Sequence, residues 1–178
     1  MGFSVSWLAV HENARNNTLS SIGLVETDRR EFLPESAFDG VLLTTGWYVV
    51  WFNNASPSAL KPESLRVLSA HTEVIACQIE EHSMVSTATC WRDGVEQWYV
   101  AHDAEEGLTN LEVLGSPPAM LEEIHSAKLQ LQGMNEDIDN IFDVPLALAE
   151  ELVGFRHDAS FDDEEEMFSI LMPHSAIT

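Results

Sequence analysis

Hydrophobic positions along the chain follow two periods. From Phe3 to Val10 (FSVSWLAV), Phe3, Val5, Trp7 and Ala9 alternate with Ser4, Ser6 and Leu8, the two-residue repeat of a half-buried strand. Asn13 stands where it can cap a short helix to Ile22, with Ala14, Thr18, Leu19 and Ile22 at helical spacing and Gly23 as the stop. Residues 24–40 read as polar and irregular, punctuated by Pro34 and by Asp39-Gly40 as a turn. Val41–Thr44 and Trp47–Phe52 then predict a strand pair around Thr45-Gly46. In WYVVWF both alternating faces are apolar, as in a central strand covered on both sides. Pro62 suits the first turn of a helix that carries Leu65, Val67 and Leu68 as far as Ala70.

The most strongly patterned stretch runs from Val74 to Val113 and predicts two long strands folded back at Arg92-Asp93-Gly94, with a third strand after Gly107. Asp93-Gly94 is a two-residue turn signal; at the tip it pairs Arg92 with Val95 and Trp91 with Glu96, which sets Val85 opposite His102. A slip of one residue turns His102 to the other face and makes it a diagonal neighbour of His82, and the sequence leaves both registers open. Ser116 before Pro117-Pro118 predicts the start of a helix with Met120, Leu121, Ile124, Ala127 and Leu131 as its buried stripe and Gly133 as its end. Asn135–Asn140 reads as an acidic loop. Asp143 can cap a last helix with Pro145 in its first turn, Leu148 and Leu152 inward and Gly154 at its stop. Strands come in consecutive runs rather than in alternation with helices. The expectation is therefore an α+β domain over residues 1–158, two-layered, with a mainly antiparallel sheet and helices packed on it. Beyond it, residues 159–178 read as a tail, an acidic run followed by the apolar cluster of Met167, Phe168, Ile170, Leu171 and Met172.

Size adds little to this picture: 178 residues fit one domain, which buries roughly 70% of its unfolded surface without staples. Charge changes it. Thirty acids against eight bases give a formal net charge of −22, a field that repels phosphate backbones and anionic lipid and attracts basic partners. Direct nucleic-acid binding is excluded on this ground, and acidity that serves only solubility is the competing explanation. Cys77 and Cys90 form neither a disulfide framework nor a CxxC pair, which points to thiols in a reducing compartment. The N-terminus lacks the features of a signal peptide and no apolar run reaches the ~20 residues of a membrane helix, so a cytoplasmic location is expected.

Candidate chemistry gathers at the hairpin. Glu80, Glu81, His82, His102 and Asp103 are metal-capable types, and a two-histidine, one-carboxylate site in a metal-binding protein or hydrolase would need His82 and His102 on one face. Against that stands the plainer reading of half-exposed strand histidines among solvated acids. The dipeptides His102-Asp103 and His157-Asp158 invite comparison with His-Asp metal phosphohydrolases, which carry theirs within helices; here one reads as a strand end and the other as a helix exit, so that likeness is rejected. Cys77, in the apolar strand VIACQI, lacks the base and positive setting of a nucleophile. Phosphate-binding glycine loops and a GxSxG elbow are absent. No catalytic residue, resident metal or cofactor is assigned, and the chain is not expected to be an enzyme.

What remains is a surface. Glu80, Glu81, Glu136, Asp137, Asp139, Asp143, Glu150, Glu151, Asp162, Asp163 and Glu164 are the candidate acids for engaging a basic protein. Residues 73–103 (EVIACQIEEHSMVSTATCWRDGVEQWYVAHD) and 141–158 (IFDVPLALAEELVGFRHD) are similar to a group of uncharacterised bacterial proteins, a likeness that spans most of 1–158, stops before 159–178 and implies no known activity. In size, acidity and lack of catalytic motifs the chain also resembles bacterial immunity proteins. That resemblance implies an acidic inhibitor that blocks the cleft of a basic toxin or effector. A third possibility is a structural or regulatory subunit that dimerises through WYVVWF or the tail.

Overall fold

The structure, a computed structural model, describes residues 2–135, 137–158 and 167–176. Its frame is one nine-stranded sheet in which every pairing is antiparallel. The strands are β1 (Ser4–His11), β2 (Leu24–Glu31), β3 (Phe38–Leu42), β4 (Trp47–Phe52), β5 (Val74–Glu80), β6 (Val85–Arg92), β7 (Val95–Asp103), β8 (Glu112–Gly115) and β9 (Phe168–Pro173). Their order across the sheet is β2-β9-β3-β4-β1-β5-β6-β7-β8. The helices are α1 (Arg15–Ser21), α2 (Pro62–Leu68), α3 (Met120–Met134) and α4 (Asp143–Val153).

This is the α+β arrangement that the patterning predicts, with helices packed on an antiparallel sheet. α4, with α3 beside it, covers one face over a core that includes Trp7, Trp51, Ile79, Val100, Leu148 and Phe155. The short helices α1 and α2 cover part of the other face over Leu8, Val10, Tyr48, Val50 and Trp91, adding a partial third layer. β1 and β4 are buried from both sides, which explains why WYVVWF has no polar alternation and leaves none of its six residues exposed for dimerisation. At the end of α4, Gly154 takes a left-handed φ of 82°, and Thr45 Oγ1 donates to the Val153 carbonyl at 2.8 Å, closing the helix as its sequence predicts. Phe155 then turns into the core and meets Trp7 edge-on at a ring distance of 5.3 Å.

Three expectations are corrected. Leu24–Glu31, read as irregular, is the edge strand β2; only Leu24 is buried, so it lacks the apolar alternation that marks a half-buried strand. Asp39-Gly40, read as a turn, lies inside β3, where Gly40 has no side chain because Tyr48 crosses it. A Cβ there would stand 2.0 Å from the Tyr48 hydroxyl oxygen. Gly40→Ala is accordingly expected to cost about 2 kcal/mol, read as a lower urea midpoint at unchanged slope. The apolar part of the expected tail, Phe168–Pro173, is no appendage: β9 is inserted between β2 and β3, and Phe168, Ile170 and Leu171 are buried. Residues 159–166 and 177–178 of that tail lie outside the described ones. The hairpin has the predicted tip, Arg92 opposite Val95 and Trp91 opposite Glu96, with Asp93 and Gly94 both at positive φ (54° and 74°), and beyond it takes the slipped one of the two registers that the sequence leaves open. Gln97 is an additional residue on β7. Cys90 therefore faces Trp98, Ser86 faces His102 and Val85 faces Asp103.

Candidate binding surface

The bulge at Gln97 decides what the histidines can do. It turns His102 onto the α4 face, where the ring is fully buried at 0% exposure. Its Nδ1 lies 2.7 Å from the Asn110 carbonyl oxygen, which can only accept, so Nδ1–H donates. Its Nε2 lies 2.9 Å from Asp139 Oδ2, and one proton occupies that second contact. Asp139 Oδ1 accepts the Phe142 amide at 3.1 Å, and the Phe142 carbonyl accepts the Ser86 hydroxyl at 2.6 Å. His102 and Asp139 therefore clasp the β7–β8 loop to the approach of α4. Asp139, counted among the acids for a partner, faces inward.

His82 takes no part in this. It lies exposed in the turn after β5, with Nδ1 2.9 Å from Glu80 Oε1. The two histidines do not share a site, since His102 has both nitrogens committed and His82 pairs outward. Asp103 accepts the Glu105 amide within its own turn. Among the described residues no group of three or more His, Cys, Asp or Glu is placed to hold a metal ion. Burial raises the Cys77 thiol well above its ordinary range and, with the Glu73 carboxylate adding to it, pushes Cys90 up to about 12. Neither is a nucleophile.

The other acids fall into two groups. The first is internally engaged. Asp143 receives hydrogen bonds from Lys128 and Arg156; burial works to raise its carboxyl, but these two cations hold it below the usual range. Arg156 also reaches Asp158 at 2.6 Å and Glu150 at 3.4 Å. Next along the chain, His157 lies 3.5 Å from Glu81 without a hydrogen bond, and Glu81 Oε2 accepts the Phe3 amide at 2.8 Å. Burial lowers His157 from its ordinary range. Arg156 thus joins Asp143, Glu150 and Asp158, with His157 lying between Asp158 and Glu81. Glu80, which accepts the Ser4 hydroxyl and the His82 ring, stands just beside this chain.

The second group is open. Glu122 and Glu123 on α3, Asp137 after it and Glu151 on α4 are exposed, and none pairs with a base among the described residues. Of the predicted acids, Glu136, Asp162, Asp163 and Glu164 lie outside the described residues. Only Lys128 and Arg156 carry positive charge between residues 116 and 158, and both are tied to carboxylates of the same layer. The helical layer is anionic with no cation left over.

α3 departs most from expectation. Its axis starts at Met120 rather than at a Ser116 cap, and of the predicted stripe only Leu121 is buried, with Ile124 half-buried. Met120, Ala127 and Leu131 are exposed, as is Met134 at 81%. At about 100° per residue, the apolar residues from Met134 round to Leu121 span an arc of roughly 140°. The helix turns only the Leu121 side of that arc inward. The rest is an uncovered apolar stripe, with Glu123 one turn before Ala127 on its flank.

On the opposite face a cavity of about 370 Å³ is lined by Arg15, Glu26, Arg30, Tyr48 and Ser169, a cluster with no motif to mark it in the sequence. Glu26 gathers most of its polar groups, accepting from Arg15, from Arg30 at 3.2 Å and from Ser169 at 2.5 Å, while the Tyr48 hydroxyl, turned onto Gly40, and Arg15 Nε are buried without a hydrogen-bond partner among the described residues. No helix among the described residues is long and apolar enough to cross a membrane. Comparison with family models, curated proteins and solved structures gives no match to the chain.

Proposed function

We propose that the chain is an acidic protein-binding module that neutralises a basic bacterial toxin or effector by covering its active-site cleft. One observation supports this reading above others: the α3–α4 layer uses up both of its bases internally and leaves Glu122, Glu123, Asp137 and Glu151 exposed. Set in a chain of net charge −22, such a surface speeds the approach of a cationic protein and rejects anionic ones. Free thiols at Cys77 and Cys90 accord with the reducing cytoplasm, where a delivered toxin would act. The experiment is a pull-down from the native host with the purified chain as bait. The expected result is a single basic protein retained at low salt, released as salt rises to ~0.5 M, and inhibited in its own activity when the chain is added. Recovery of no basic partner, or of one whose activity is unchanged by the chain, rejects the proposal.

A further inference from the structure

The stripe on α3 specifies the kind of element that such a partner presents; this inference rests on the reading of the chain as an acidic binding module. We propose that Met120, Ala127, Leu131 and Met134 form the docking seam for a cationic amphipathic helix. The four residues recur at helical spacing and, from Met120 to Met134, extend over roughly 21 Å, the length of three to four helical turns. A helix laid beside such a seam anchors it through apolar residues at positions i, i+3 or i+4, and i+7. Methionine at both ends supplies adaptable contacts.

Charge selects the occupant. Glu123 flanks the seam and Glu122 lies beyond it, both exposed, while Lys128, the only base on α3, is turned inward to Asp143. A second copy of the chain would bring the same carboxylates against each other across the seam, with −22 on each side. A helix with lysine or arginine beside its apolar face meets the seam and its rim together. Salt weakens the rim contacts and spares the apolar ones.

The test uses the full chain and a 14-residue peptide with leucines at helical spacing and lysines elsewhere, followed by fluorescence anisotropy. A control peptide keeps every lysine and replaces the leucines by glutamine. The variant Leu131→Gln/Met134→Gln alters only exposed side chains, and its thermal unfolding is checked against wild type. Saturable binding of the amphipathic peptide, at least tenfold weaker for the control peptide and at least tenfold weaker for the variant, is the expected result. If both peptides bind alike and the variant changes nothing, the seam is refuted while charge-driven binding stands. If neither peptide binds, the binding-module reading fails with it. If the chain sediments as a dimer that Leu131→Gln/Met134→Gln dissociates, the seam belongs to a second copy and the proposal is overturned.

Discussion

His102→Leu is expected to lower the free energy of unfolding by about 3 kcal/mol, the cost of breaking a buried hydrogen-bond pair while leaving its partner in place. Leucine preserves the bulk of the ring, so little of the loss comes from a cavity. What is lost is donation to the Asn110 carbonyl at 2.7 Å and the 2.9 Å contact with Asp139, whose side chain is 7% exposed. Asp139 then keeps the Phe142 amide on one oxygen and nothing on the other. Urea denaturation of wild type, His102→Leu, Asp139→Ala and the double variant closes a cycle in which the pair should show a coupling of at least ~1.5 kcal/mol. Additive effects would mean that the two loops are held by packing alone. Because Asp139 stands between α3 and α4, His102→Leu should also weaken binding of the lysine-leucine peptide, although His102 itself is fully buried.

Much of this fold is legible in the sequence because its signals are local. The Asp93-Gly94 turn, the doubly apolar WYVVWF strand and the Gly154 stop each depend on a few neighbouring residues, and each is found where the pattern puts it. Signals that depend on distant partners are not legible. β2 is polar because it is an edge strand, and β9 reads as a tail after an acidic run because its neighbours in the sheet, β2 and β3, lie more than a hundred residues earlier. The bulge at Gln97 has no residue signature, yet it decides which face His102 occupies, while His82 stays apart from it because it lies in the turn after β5 rather than in a strand. α3 shows the same limit in another form. Its composition reveals an apolar arc, but which half of that arc meets the rest of the chain is set by α4, and the uncovered half becomes the candidate surface. The acids behave likewise, since composition counts Asp139 and Asp143 with Glu151 although the first two are drawn inward by His102, Lys128 and Arg156.

Asp39→Asn should make the protein more stable at pH 8 and little different near pH 4. Asp39 is fully buried in β3, and neither carboxylate oxygen has a hydrogen-bond partner among the described residues. Burial, followed by the nearby Glu31 carboxylate, raises its pKa from 3.8 to about 7. Between about pH 4 and pH 7 the folded chain therefore holds a proton that the unfolded chain has already released. A raised carboxyl contributes stability that is complete below the unfolded value and is lost as pH rises from about 4 through about 7. A shift of that size has a ceiling of about 4 kcal/mol, and asparagine, of the same shape but without the charge, removes the pH-dependent part of it. The expected gain of the variant over wild type is ~2–4 kcal/mol at pH 8, measured as the difference between urea unfolding curves at pH 4.5 and pH 8. All other titrating groups are common to both proteins, so the comparison isolates Asp39 from the pH response of the remaining acids. Parallel stability profiles for the two proteins across that range would show that Asp39 ionises in the folded sheet without cost. The relief at high pH should also spare the surface: Asp39 lies in the sheet rather than in the α3–α4 layer, so binding of the cationic peptide to Asp39→Asn should match wild type while stability differs.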